Sequence, residues 1–214
     1  MNILLVAATQ AEIEPFLNSH GIFELPASKK RIGKHHVDII LSGVGMVSTA
    51  FNLGRYFNEH TFDLAINVGI AGSFDTSFLA GDLCRIKEDI LVEFGAEDGS
   101  GFLTANQLGL GNNSFLADIF TDFPIYNQLA EVKAITVNTV HGDAESIAQT
   151  IDRFKPQIES MEGAAFFFAC QQSQVTGIQI RAISNKVERR NRANWEIELA
   201  IKNLNNMLIQ LFNS

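Results

Sequence analysis

Glu12, Glu162, Asn185 and two glycine turns are the places where this chain could do chemistry. Glu12 follows Thr9 by three residues in "ATQAE", the spacing of a capping box at a helix start. The same carboxylate suits general-base work on a water proton. Glu162 heads "MEGAAFFFAC", a helix too apolar to lie on the surface. A carboxylate there is either an acid favoured by the helix dipole or a charge near the interior that must find partners. The turns "SGVGMVST", with Gly43 and Gly45, and "NVGIAGS", with Gly69 and Gly72, let backbone approach a ligand closely, and their amides could cradle a phosphate. Neither holds a basic residue to compensate a dianion. "GIQIRAISN", residues 177–185, alternates like a buried strand and then closes on Ser184 and Asn185. That hydroxyl and amide either turn the chain or offer a donor and an acceptor to a ligand.

The elements that must position these residues follow from periodicity. "NILLVAA" reads as a buried strand and "QAEIEPFLNSHG" as a short helix closing at Gly21. "HHVDIILSG" is the next strand, and the helix expected over 46–60 places Val47, Ala50, Phe51, Gly54 and Phe57 on one face. "DLAINVGIAG", "DLCRIKEDILVEF" and "VKAITVNTV" add strand material, whereas 95–114 is rich in Gly, Asn and Asp and reads as a long loop. "AESIAQTIDRF" is a helix, and the last helix puts Ile197, Ile201, Leu204, Leu208 and Leu211 on one stripe. Strands alternating with helices imply an α/β fold, a mixed and mostly parallel central sheet flanked by helices in one domain over 1–214. Ligands of such sheets gather at the carboxyl ends of the strands, which is where the residues named above fall.

Composition sets the class of partner. The 214 residues are 46% apolar with a net charge of -8, enough for one sizeable core. The acidic balance argues against nucleic acid and against an anionic membrane surface, leaving a small molecule. The apolar run at 3–8 follows no basic residues and is too short for a signal peptide or a membrane span. Cys84 and Cys170 stand apart, as expected in a reducing cytoplasm. His35, His36 and His141 have no metal-ligand spacing, so neither a metal nor an organic cofactor is expected.

In this order and at these spacings, "ATQAE", "SGVGMVST", "NVGIAGS", "ESMEGAA" and "RAISN" resemble the nucleoside phosphorylase and nucleosidase superfamily. The likeness is to its methylthioadenosine/S-adenosylhomocysteine nucleosidase branch and the related futalosine hydrolases. The resemblance spans nearly the whole chain and is weakest over 95–130. It implies that Glu12 activates the water attacking the anomeric carbon, that Glu162 holds the ribose hydroxyls and that Met161 lies against the sugar. Gly45 and Gly72 would allow close packing of the substrate. Because the glycine turns lack a cation, water is the expected nucleophile rather than phosphate.

At the position of Asn185 the methylthioadenosine nucleosidases carry an aspartic acid that protonates the departing adenine. An amide cannot donate that proton, but it suits a 6-oxopurine, which presents acceptors at O6 and N7 and a donor at N1. The expected base is hypoxanthine, with Ser184 helping to position Asn185. This matches the resemblance to futalosine hydrolases, enzymes of a menaquinone pathway that release hypoxanthine and dehypoxanthinylfutalosine. Their substrate carries a benzoate, for which "ERRNRANW" offers Arg189, Arg190 or Arg192 and Trp195; the alternative is a solvated charged segment. Other readings are a methylthioadenosine/S-adenosylhomocysteine nucleosidase, a purine nucleoside phosphorylase and a non-catalytic nucleoside-binding protein. The resemblance further implies a homodimer.

Overall fold

Residues 3–7 of the first apolar run have no solvent exposure, and they alternate between two cores. Ile3, Leu5 and Ala7 face one, while Leu4 and Val6 face the other. A strand buried on both faces in this way belongs to a sheet covered by helices on each side. The computed structural model describes residues 1–99, 101–117, 121 and 123–213. It begins β1 (Asn2–Ala7), α1 (Gln10–Ser19), β2 (Ala27–Ile32), β3 (His35–Leu41), α2 (Met46–Glu59), β4 (Leu64–Ser73) and β5 (Leu83–Leu91). There follow β6 (Gly95–Asp98), β7 (Gly101–Thr104), β8 (Ser114–Leu116), α3 (Pro124–Asn127) and β9 (Ala130–Thr136). The chain ends with α4 (Ala144–Phe154), β10 (Ile158–Ser160), α5 (Gly163–Ser173), β11 (Gly177–Lys186) and α6 (Ile197–Asn213).

The main sheet has the order β10-β9-β5-β11-β4-β1-β3-β2, with β8 on β5. Its centre, β3-β1-β4-β11, is parallel throughout. Antiparallel pairing enters where β2 meets β3, where β5 meets β11 and where β8 meets β5. The three-residue β10 is parallel to β9 and also antiparallel to the end of β4, setting Glu159 opposite Gly72. The strip from β4 through β11, β5, β9 and β10 thereby closes on itself, so β10 is fastened to both of its ends.

α1 and α6 cover one face through Ile13, Phe16, Leu204, Leu208 and Phe212. The other face is covered by Leu53 of α2 and by Phe166 and Phe167 of α5. The apolar body of α5 lies inside, as its composition requires, and its first residue has to be glycine. A Cβ on Gly163 would overlap Asp89 Oδ2 and lie 2.5 Å from Gln179 Oε1. Contact that close between a helix start and a buried carboxylate admits no side chain.

One expectation needs correction. Residues 95–114 are not a long loop: β6 and β7 form a separate hairpin, and β8 adds a strand to β5. The strands are short and β6 is exposed at every position, so no hydrophobic alternation marks them. On α2, Thr49 and Leu53 are the buried residues, and the face that carries Val47, Ala50, Phe51, Gly54 and Phe57 leaves Val47 82% and Phe51 63% exposed. Phe57 at its far end packs against the core, whereas Val47 and Phe51 do not.

Candidate active site

A cavity of about 310 Å³ opens at the carboxyl ends of β1, β4 and β11, and Glu12, Gly72, Met161, Glu162, Ser184 and Asn185 all line it. Residues drawn from widely separated parts of the chain therefore meet where a parallel sheet is expected to bind its ligand.

Glu12 is at once a helix cap and a carboxylate of the cavity wall. Thr9 N donates to its Oε2 at 2.9 Å and Thr9 Oγ1 does so at 3.2 Å, completing a capping box on α1. The other oxygen, Oε1, accepts from Ile70 N at 3.3 Å, which turns the carboxylate over the end of β4. Gly69 makes the approach possible, since a Cβ there would lie 2.8 Å from Oε1. Glu12 is thus held at two points and still borders the cavity.

Glu162 stands at the N-cap of α5, and its Oε1 accepts from Gly45 N at 2.9 Å. Gly45 has φ 88, a backbone region that glycine enters without steric cost. Burial raises the Glu162 pKa, and nearby Glu12 pushes in the same direction; the Gly45 amide and the Arg181 charge oppose them. Met161, half-buried before it, supplies an apolar wall.

Asn185 reaches the cavity through a bulge. Ile183 pairs with Ala71 and Asn185 with Gly72, leaving Ser184 as the extra residue on β11, and such bulges re-aim side chains. Ser184 Oγ bonds Asn185 Oδ1 at 2.8 Å and the carbonyl of Ala71 at 3.2 Å. Holding Oδ1 in this way points the amide nitrogen elsewhere; Nδ2 donates to Lys186 O at 2.8 Å and passes close to Gly72.

Beneath these groups lies Arg181, 1% exposed. It donates to Asn67 O, Asn67 Oδ1, Ile180 O and Gln179 Oε1. Its charge lowers the pKa of both Glu162 and Asp89. Asp89 is fully buried, accepts from Thr136 Oγ1 at 2.7 Å, and is raised by desolvation to about 6. No lysine or arginine lines the cavity among the described residues, and no group of three His, Cys, Asp or Glu side chains among them is arranged to hold a metal ion.

Sequence reasoning missed part of the wall. Glu159, 4% exposed, and His141 line the cavity together. Oε1 of Glu159 accepts from His141 N at 3.1 Å, and Oε2 lies 2.5 Å from His141 Nδ1. This hydrogen bond from Glu159 raises the His141 pKa against burial. Nothing local marks the pair, because 18 residues separate them. Trp195, Ile197 and Ile201 supply apolar wall. Arg189 and Arg192 are exposed and do not line the cavity; Arg192 instead lies over the Trp195 ring at 5.8 Å, beside Arg190 at 5.2 Å.

This geometry offers a half-buried carboxylate for proton abstraction, a second one for binding hydroxyls, and an oriented amide. A family model described as the phosphorylase superfamily matches residues 2–213. The futalosine hydrolase of Thermus thermophilus is 27% identical over 169 residues, covering 76% of this chain and 75% of the relative. That of Streptomyces coelicolor is 27% identical over 217 residues, covering 94% and 91%. A solved structure of the 5'-methylthioadenosine/S-adenosylhomocysteine nucleosidase of Colwellia psychrerythraea in complex with adenine matches with a TM-score of 0.76 at 21% identity, over 99% of this chain and 94% of that one.

The raised pKa of Asp89 has a measurable consequence for stability. Between its ordinary value of 3.8 and about 6, the unfolded chain has lost this proton while the folded one keeps it, so stability falls as pH rises. Urea unfolding at pH 4, 5, 6 and 7 should show wild type losing stability relative to Asp89→Asn by up to about 1.4 kcal/mol per pH unit below pH 6, then no further. A stability difference independent of pH would contradict the assignment.

Proposed function

The chain belongs to the phosphorylase superfamily, and on that premise we propose that it hydrolyses the N-glycosidic bond of futalosine, releasing hypoxanthine and dehypoxanthinylfutalosine. Support comes from its similarity to futalosine hydrolases along most of the chain, but the observation that carries the reading is Asn185. Its Oδ1 is held by Ser184 and one Nδ2 proton goes to Lys186 O, which leaves the second Nδ2 proton as the donor for the O6 or N7 acceptor of a 6-oxopurine. Glu12 accepts a proton from water as it attacks the anomeric carbon. Glu162 accepts from the ribose hydroxyls, and Met161 packs against the sugar. Gly45 presents its amide to Glu162, and Gly72 leaves room beside the base. A hydrogen bond from Asn185 strengthens as charge builds on the departing base, contributing about 1.5–3 kcal/mol.

Trp195 is assigned to the aromatic ring at the far end of the substrate, and one of the arginines stacked on it, Arg190 or Arg192, to the carboxylate beyond the cavity mouth. The domain, residues 1–214, acts in the cytoplasm as a step of menaquinone biosynthesis, a setting that accords with the buried thiol of Cys84. It works as a homodimer, for which the exposed Val47 and Phe51 of α2, together with the apolar groove that Val47 lines with Phe168 of α5, supply the contact. Sedimentation should give about twice the 23.6 kDa chain mass, with Phe51→Asp returning it to one chain; a wild-type monomer at micromolar concentration would contradict the pairing.

The similarity to an adenine-binding nucleosidase structure supports a second reading, cleavage of methylthioadenosine, which Asn185 opposes. Chromatography of phosphate-free reactions should show hypoxanthine from futalosine and little adenine from methylthioadenosine. Glu12→Gln should retain the helix cap yet lose about 100-fold or more in kcat, the weight of a general base. Adenine release would favour the second reading. No release from either substrate would leave a binding protein, and release only with phosphate would indicate a phosphorylase.

A further inference from the structure

The Glu159–His141 pair is the strongest feature of the cavity that the reaction described above leaves unused. Glu159 is 4% exposed and acidic. A carboxylate so buried needs partners, and those in this structure come from one residue, the amide and ring of His141. The ring is itself anchored, because Thr150 Oγ1 lies 2.8 Å from Nε2. Each carboxylate oxygen can accept more than one hydrogen bond, so the clamp fixes Glu159 without using up its accepting capacity.

Glu159 is also placed beside Asn185. β10 pairs with the end of β4 so that Glu159 faces Gly72, and the β11 bulge sets Asn185 opposite the same glycine. A Cβ on Gly72 would lie 3.3 Å from Asn185 Nδ2 and 3.6 Å from Glu159 Cγ. The cavity wall therefore carries an amide donor and an acceptor-only carboxylate side by side. An acceptor at position 6 of a purine next to a donor at N1 complements that pair. Adenine has the reverse order, an amino donor at position 6 and a lone pair at N1, and it mismatches both groups.

We propose that Glu159, clamped by His141, accepts the N1–H of a 6-oxopurine and with Asn185 determines which base the cavity takes. This rests on the reading of the cavity as a nucleosidase site and adds the residue that rejects adenine. His141 is a positioning residue and touches no base. Sites built to hydrogen-bond a polar group reject analogues lacking it more strongly than apolar pockets reject size changes, because a buried partner is left unpaired.

The test is calorimetric titration of the full chain with the free bases hypoxanthine, 1-methylhypoxanthine and adenine. Wild type should bind hypoxanthine at least about tenfold more tightly than either of the others, as expected for a bond to a charged acceptor. Glu159→Gln, with its melting temperature preserved, should bring all three within about threefold, since glutamine can donate or accept. An unchanged preference in Glu159→Gln would reduce Glu159 to a structural partner of His141 and overturn the proposal. So would equal wild-type binding of hypoxanthine and 1-methylhypoxanthine, a result that needs no variant. Base selection without futalosine cleavage would defeat the proposed substrate and leave the role of Glu159 standing.

Discussion

The site depends on how its negative charge is balanced. Glu12, Glu159 and Glu162 all line one cavity, Asp89 is buried beneath it, and the buried cation behind them is Arg181. The guanidinium donates to amide oxygens of Asn67 and Gln179 and to backbone carbonyls, so it acts on the carboxylates through its field rather than through a direct bond in that set. Gathering several carboxylates costs desolvation and mutual repulsion, and the raised pKa values of Glu162 and Asp89 record that cost. A cavity with this balance favours a neutral nucleophile, because an entering phosphate dianion would find three glutamates and, among the described residues, no lysine or arginine in the wall.

The backbone is arranged to keep these charges apart and satisfied. Gly69 lets Glu12 lie on β4, and Gly45, with positive φ, turns its amide to Glu162. Gly163 lets the start of α5 meet Asp89. The double pairing of β10 is the most economical device: three residues paired with β9, two of them also with β4, carry Glu159 and lead directly into Met161 and Glu162. Precise placement of this kind is what a catalytic constellation requires of its scaffold.

Much of this was legible before any coordinates. The buried strands β1, β4 and β11 announce themselves by apolar runs, and α5 by a composition that no surface helix tolerates. Polar residues at the ends of those strands pointed to the cavity, with the resemblance supplying their roles. What escaped was non-local or unpatterned. β10 is too short to show a period. The Glu159–His141 clamp joins residues that the sequence separates by a helix, and the strands of the β6–β7 hairpin are four residues each, with β6 exposed throughout. The stripe on α2 is divided between core and surface, with Phe57 packed inward and Val47 and Phe51 exposed, since periodicity reveals a face and not what covers it. The arginines after Asn185 look like a ligand site in sequence, and the fold keeps Arg189 and Arg192 out of the cavity wall.

The most direct test of the charge argument is phosphorus NMR of a futalosine reaction run with and without saturating inorganic phosphate. A neutral nucleophile predicts a rate independent of phosphate and no sugar 1-phosphate signal, with every released hypoxanthine matched by free dehypoxanthinylfutalosine. A phosphate-dependent rate accompanied by a sugar 1-phosphate resonance would contradict it, because the cavity would then be accommodating the anion that its charge balance should exclude.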